Sequence, residues 1–182
     1  MRRGIYIGRF QPFHNGHMDL LRHVMKTYAP GELLIGIGSA QVSHTLDNPF
    51  TAGERFEMVE AVLRAEQVQN CRIVPIPDLD RHALWVSHVV SLVPPFEQAY
   101  SSDPLTKMLF SEAGYETPDL PMFNRGMYEG KEIRRRILAK ESWEDLIPTP
   151  VRKILEEIQG VERLRLLAGS KEAVRLDPND RH

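Results

Sequence analysis

Apolar positions along the chain fall into short runs separated by stretches of helical spacing. Gly4-Ile5-Tyr6-Ile7-Gly8 is brief, rich in β-formers and bounded by glycine, which predicts a buried strand. From Gly16 to Tyr28 the apolar residues Met18, Leu21, Val24 and Met25 share one face of a helix. Leu33 to Ile37, closed by Gly38-Ser39, predicts a second strand. Thr51-Ala52-Gly53-Glu54 has the form of a capping box and opens a helix from Gly53 to about Glu66. Arg72 to Ile76 reads as a third strand whose end is blurred by Pro75 and Pro77. Leu84 to Leu92 is helical in pattern, and Ala99-Tyr100-Ser101 makes a short fourth strand. Pro104 suits the first position of a helix that Gly114 ends. Glu132 to Leu138 and Thr149 to Ile158 are further helices, and roughly the last 12 residues are polar and expected to fray.

Strand and helix alternate, the pattern of an α/β chain with a doubly wound parallel sheet covered on both faces. In such sheets ligands sit beyond the carboxyl ends of the strands, where the strand order reverses. The loops leaving the first, second and fourth strands are therefore where chemistry is expected. No repeat or low-complexity stretch interrupts the pattern, so residues 1–182 read as one domain. Its C-terminal part, about 140–170, is expected to be a helical appendage joined at Pro148-Thr149-Pro150, with 170–182 a frayed tail.

The chain has 182 residues, 42% of them hydrophobic and 26% charged, enough for a sizeable core without staples. Twenty-three Lys and Arg stand against 25 Asp and Glu, a net charge of −2, which argues against a general nucleic-acid partner. Cys71 is the one cysteine, so neither an intrachain disulfide nor a multi-cysteine metal site can form. No apolar run approaches the ~20 residues of a membrane span. Met1-Arg2-Arg3-Gly4 leads straight into the first strand, unlike a signal peptide. A cytoplasmic location with no membrane contact is the expectation.

The loop after the first strand reads Gly8-Arg9-Phe10-Gln11-Pro12-Phe13-His14-Asn15-Gly16-His17. Gly8 permits a turn and a close approach, Pro12 stiffens the loop, and Gly16 keeps bulk away from the helix start. His14 and His17 are three residues apart and share a face if the first turn is helical. A helix N-terminus with free N–H groups is a ready phosphate site, and two imidazoles add donors to it. Arg9 adds a permanent cation with forked donors. A zinc site is disfavoured because no third ligand lies nearby in the sequence. Taken singly, the histidines read as surface or cap residues and Arg9 as solvated. Together in a glycine-flanked strand-to-helix loop they predict a phosphate site.

This loop resembles the His-x-Gly-His signature of the nucleotidyltransferase superfamily, in its adenylyltransferase form. Further blocks narrow the resemblance: Gly36-Ile37-Gly38-Ser39-Ala40-Gln41, Asn48-Pro49-Phe50-Thr51-Ala52-Gly53-Glu54-Arg55, Leu84-Trp85-Val86, Pro94-Pro95-Phe96 and Glu132-Ile133-Arg134-Arg135-Arg136. Together, from about residue 4 to about residue 168, they are similar to the archaeal-type nicotinamide-mononucleotide adenylyltransferases. The resemblance implies a Rossmann-like nucleotidyltransferase fold. It implies the union of ATP and nicotinamide mononucleotide (NMN) to give NAD and pyrophosphate, with a divalent cation, Mg2+, and a homo-oligomer, often a hexamer. Because the attacking group is already an ionised phosphate, neither a general base nor a covalent intermediate is needed; catalysis is positioning plus electrostatics. His14, His17, Arg9 and Arg134 are the implied catalytic residues, with His17 nearest the α-phosphate and Arg134 on the β- and γ-phosphates. Gly8, Gly16, Asp103 and Lys131 complete the implied ATP site. Gly38, Ser39, His82 and Trp85 form the implied NMN site, with the indole stacked on the pyridinium. Arg135 and Arg136 read as a solvated basic face. Thr51 to Arg55 is first a capping box, with a ligand role second.

The chain departs from the family pattern in places. Family members commonly carry Ser-Gly-Thr where Glu129-Gly130-Lys131 stand, Ser-Gly-Asn-Pro where Ser101-Ser102-Asp103-Pro104 stand, and asparagine where His82 stands. Glu129 turned inward would repel ATP and Lys131 would compensate, so ATP binding is expected to survive in weakened form. A protonated His82 would favour nicotinate over nicotinamide. Rival readings are an adenylyltransferase for nicotinate mononucleotide, phosphopantetheine or FMN, and a catalytically inactive nucleotide-binding regulator on the same scaffold. A class I aminoacyl-tRNA synthetase is disfavoured, since the chain lacks that family's Lys-Met-Ser-Lys-Ser loop and a tRNA-binding region.

Overall fold

The computed structural model describes residues 2–121 and 129–175, the last five as backbone only. Four strands, β1 (Arg3–Gly8), β2 (Glu32–Ile37), β3 (Cys71–Pro75) and β4 (Gln98–Tyr100), form one sheet in the order β3-β2-β1-β4. All neighbours run parallel. The helices are α1 (Asn15–Thr27), α2 (Ala52–Ala65), α3 (His82–Leu92), α4 (Pro104–Glu112), α5 (Gly130–Ala139), α6 (Thr149–Glu157) and α7 (Gly160–Arg175). The fold is the α/β, doubly wound parallel sheet that the alternation of elements predicts, with helices on both faces.

Side-chain alternation in the strands sorts the core into two layers. Tyr6, Leu33, Ile35 and Ile37 face one cluster, filled by Met18, Leu21 and Val24 of α1 and by Met58, Val59 and Val62 of α2. Ile5 and Leu34 face the other, filled by Val86 and Val89 of α3 and Phe110 of α4. Each of these side chains, fully removed from water, contributes about 1.5–3 kcal/mol, so both sheet faces are firmly committed. The central parts of β1 and β2 carry no charged residues because both of their faces are covered, while Arg3, Glu32 and Arg72 pair with one another near the strand starts. Pro75 is tolerated in β3 because β3 is an edge strand with one partner.

The chain steps outward from β1 to β2 to β3, then crosses to place β4 on the other side of β1. The order reverses between β1 and β4, which opens a crevice at their carboxyl ends. Both strands end there in loops that run into helices, α1 and α4.

The C-terminal helices are built onto the first of the two layers. Ile133, Ile137, Val151, Leu155 and Leu164 are all buried in it. Arg163 of α7 makes a two-pronged ion pair with Glu54, 2.7 Å on each arm, and also donates to the Pro49 carbonyl. Helix α7 runs on through residues 170–175, where the sequence pattern predicts fraying; residues beyond 175 lie outside the described ones. Among the described residues no helix is long and apolar enough to cross a membrane.

Candidate active site

A cavity of about 490 Å³ occupies the crevice at the carboxyl ends of β1 and β4. Its walls are the β1–α1 loop, the segment from Ser101 to Pro104, Lys107 of α4, Asp119 to Pro121, and the start of α5.

His14 and His17 sit at its floor with an arrangement the sequence pattern does not foretell. His14 is the N-cap of α1, and its ring nitrogen Nδ1 accepts from the His17 backbone N–H at 3.3 Å. The Nδ1 of His17 in turn accepts from the His14 backbone N–H at 3.2 Å. This is a capping box in which two imidazoles replace the usual hydroxyl and carboxylate. The rings stack with centroids 3.5 Å apart. Phe10 and Phe13 close over His17 from the side. Since both Nδ1 atoms accept, each ring carries its proton on Nε2 and is neutral. Burial pushes His14 down to about 3. Burial and the neighbouring His14 hold His17 well below the ordinary histidine value. The pair therefore offers two neutral Nε2–H donors, rather than acids or bases, at physiological pH.

Two arginines add permanent charge. The Arg9 side chain reaches into the cavity and has no ion pair or hydrogen bond among the described residues. Arg134, on the first turns of α5, is buried; it donates to the Gln11 carbonyl at 2.8 Å and meets Asp47 at 3.4 Å. Gly130 allows this approach, since a Cβ there would lie 2.9 Å from the Gln11 carbonyl oxygen and 3.2 Å from the Arg134 guanidinium. Glu129, the N-cap of α5, gives its helix no side-chain cap, so the first N–H groups of α5 are left without one at the cavity wall. Lys131 lines the same wall.

The acidic groups around the cavity are mostly engaged elsewhere. Asp103 turns its carboxylate onto α4, where it accepts from the Thr106 N–H and hydroxyl at 2.8 Å, a helix cap. Asp119 is paired with Lys107. Arg135 and Arg136 face solvent and are tied to Glu132, with Glu141 also on Arg135, consistent with a salt-bridged basic face.

Of the residues read from sequence, Arg9, His14, Gly16, His17, Asp103, Lys131 and Arg134 line this cavity. Gly8, Gly38, Ser39, His82 and Trp85 do not. The space beside Gly8 is taken by the Phe10 ring, which a Cβ would meet at 2.8 Å, so the glycine serves the fold of the loop. Ser39, at the end of β2, is buried, has a left-handed backbone (φ 49°), and donates its hydroxyl to Asp78 at 2.5 Å. His82 is exposed at the start of α3. Trp85 is half-buried one turn on, edge-on to Phe110.

Gln11 and Asp47 were given no role of their own from sequence, and Arg55 was read only within the Thr51–Arg55 block, as a capping box first and a ligand role second. The buried amide of Gln11 exchanges two 2.9 Å hydrogen bonds with the Phe50 backbone, tying the β1–α1 loop to the entry of α2. Arg55 is fully buried and donates only to backbone carbonyls. Thr51 and Glu54 form the expected reciprocal capping box of α2, so this segment supports the loop from behind.

Residues 5–153 match the cytidylyltransferase-like family. A nicotinamide-nucleotide adenylyltransferase of Methanoculleus marisnigri is 49% identical over 172 residues, covering 93% of this chain and 99% of the relative. That of Methanothrix thermoacetophila is 50% identical, covering 91% and 95%. Among solved structures, a bifunctional NMN adenylyltransferase/ADP ribose pyrophosphatase of Francisella tularensis, complexed with AMP and a manganese ion, superposes with a TM-score of 0.70 at 18% identity. It covers 96% of this chain and 54% of its own.

Proposed function

The chain belongs to the cytidylyltransferase-like family and, within it, to the nicotinamide-nucleotide adenylyltransferases, and from that premise we propose how its cavity performs adenylyl transfer. The enzyme joins ATP and nicotinamide mononucleotide into NAD and releases pyrophosphate, a step of NAD biosynthesis. An oxygen of the NMN phosphate attacks the α-phosphorus of ATP in line. The bond from that phosphorus to the bridging oxygen breaks, and pyrophosphate carries the electron pair away. The observation that carries this reading is the pair of neutral Nε2–H donors at the N-terminus of α1, set in one cavity with Arg9 and Arg134.

His17 and His14 donate to the triphosphate, His17 nearest the α-phosphate, and follow the charge as it moves onto the leaving group. Neutral donors suit this task because they need no proton exchange during the step. Arg9, Arg134 and Lys131, with Gly16 and the N–H groups of α1 and α5, hold the remaining phosphate oxygens. Asp103 shapes the adenosine side by capping α4. Trp85, His82, Gly38 and Ser39 receive NMN beyond the ends of β2 and β3, with the indole face against the cationic ring. Mg2+ would lower the charge of the triphosphate and of departing pyrophosphate. Among the described residues no group of three or more His, Cys, Asp or Glu could hold a metal. The donor set thus fits an ion carried in on the triphosphate, as magnesium in such sites usually is. Glu129, Asp103 and Asp119 are the carboxylates of the cavity lining.

The described residues act as one domain, a reading supported by the burial of C-terminal helix residues in the core of the sheet. We assign the enzyme to the cytoplasm and to a homo-oligomer; exposed Leu84, Leu92, Leu105 and Met108 on α3 and α4 supply apolar surface for contacts between copies. Pyrophosphate release measured with NMN, nicotinate mononucleotide, FMN and phosphopantetheine tests the reading. NMN should be the preferred acceptor, and absence of NAD formation at saturating magnesium would remove the enzymatic assignment.

A further inference from the structure

The guanidinium of Arg55 is fully buried, yet no carboxylate oxygen lies within ion-pair distance of it among the described residues. Its hydrogen bonds go to four backbone carbonyls. Nη1 donates to Arg9 at 2.9 Å and to Gly38 at 2.7 Å, Nη2 to Ser39 at 3.0 Å, and Nε to Thr51 at 3.1 Å. Arg9 and Gly38 follow the two neighbouring strands β1 and β2, so one nitrogen spans the gap between their departing loops. The residues that follow Arg9 and Gly38 are left-handed: Phe10 (φ 52°) and Ser39 (φ 49°). Non-glycine residues adopt this conformation only where surroundings impose it. Burial lowers the guanidinium to about 10, so it remains charged at neutral pH.

A buried cation whose hydrogen bonds all go to carbonyls, with Asp78 and Glu54 acting on it only from beyond ion-pair distance, is a costly choice for holding a loop, since a neutral donor would avoid the desolvation. Its particular effect here is on charge. The oxygens of the Arg9, Gly38 and Ser39 carbonyls point to Arg55, which does not line the cavity, so their negative ends are held away from the crevice in which a polyanion must bind. Arg55 also fixes the peptide from which the Arg9 side chain departs into the cavity.

We propose that Arg55 is a positioning residue for the transfer reaction, which clamps the carbonyls of Arg9, Gly38 and Ser39 and thereby aims the Arg9 guanidinium at the triphosphate. The assay rests on the adenylyl-transfer reading above. A role through Arg9 makes a specific prediction: the two substitutions cannot add. The test is a double-mutant cycle with Arg9→Ala, Arg55→Lys and the double variant, measuring KM for ATP, KM for NMN and kcat, with thermal melting as a check on folding.

Arg55→Lys is expected to raise KM for ATP about tenfold in the wild-type background and less than twofold in Arg9→Ala, with KM for NMN little changed in both. Equal effects in the two backgrounds, or a loss shared between both substrates, would overturn the proposal. If Arg55→Lys does not fold, Arg55→Gln repeats the cycle; failure of both to fold would assign Arg55 to the fold alone and also overturn it. Wild-type NAD formation is measured first. Its absence would count against the functional reading, whereas additivity in an active enzyme counts only against the role of Arg55.

Discussion

Acid should destabilise this protein in a window set by its two stacked imidazoles. His14 has an ordinary value of 6.5 in the unfolded chain and is pushed down to about 3 by burial in the folded one. Between those values the unfolded chain binds more protons, so stability is full above 6.5 and lost as pH falls toward 3. The slope is about 1.4 kcal/mol per pH unit for each such histidine. At pH 4.5 His14 alone would have withdrawn about 3 kcal/mol, and His17, shifted in the same direction by burial, adds to it. Such a loss is a large share of the stability of a typical domain. Glu32 and Glu54, whose pKa values the Arg3 and Arg163 partners lower, withdraw their contributions only at pH values near and below the ordinary carboxylate value of 4.5. The interval from 6.5 to 5 therefore isolates the histidines. Urea unfolding at fixed protein concentration across that interval gives the slope directly. The comparison is a variant carrying His14→Asn and His17→Gln, which keeps capping chemistry at both positions while removing both titrations. The variant should lose most of the wild-type pH slope. An unchanged slope would show that the rings are not held neutral by burial, and the assignment of both as Nε2–H donors would go with it.

Two further outcomes follow from the same geometry. His17→Ala should lower kcat by about a hundredfold or more, as loss of a charge-stabilising donor does, while removing only about 1 kcal/mol of stability through the lost capping contact; steady-state kinetics and urea unfolding read the two. Trp85→Ala should raise KM for NMN at least tenfold while leaving ATP affinity, measured by calorimetry in the absence of NMN, within twofold; equal loss on both sides would place the indole in the core rather than in the acceptor site.

Local signals in the sequence located most elements. The glycine-bounded run of β1, the period of α1 and the Thr51–Glu54 box of α2 each depend on residues within one turn or one strand, and all appear in the structure near their expected bounds. Helix α7 was read only as part of a helical appendage over about 140–170, without bounds of its own, because its apolar spacing is irregular. The Arg163–Glu54 pair and the burial of Leu164, both contacts across the fold, hold it in place. The cluster of Arg9, His14, His17 and Arg134 was legible from motif resemblance. What could not be read was the wiring behind it. Gln11 pairs with Phe50 39 residues away, and Arg55 reaches Arg9 across 46. The Thr51–Arg55 block read as a capping box first and a ligand segment second, and only the fold shows four carbonyls around Arg55. The reciprocal imidazole cap was hidden for a different reason, since histidine is not the residue type by which capping boxes are recognised.

A crystal structure with NMN and a non-hydrolysable ATP analogue bears most directly on the account. The triphosphate should lie in the crevice between β1 and β4, within hydrogen-bond distance of Nε2 on His14 and His17 and of the Arg9 and Arg134 guanidinium groups. A triphosphate seated elsewhere, with that crevice unfilled, would contradict it.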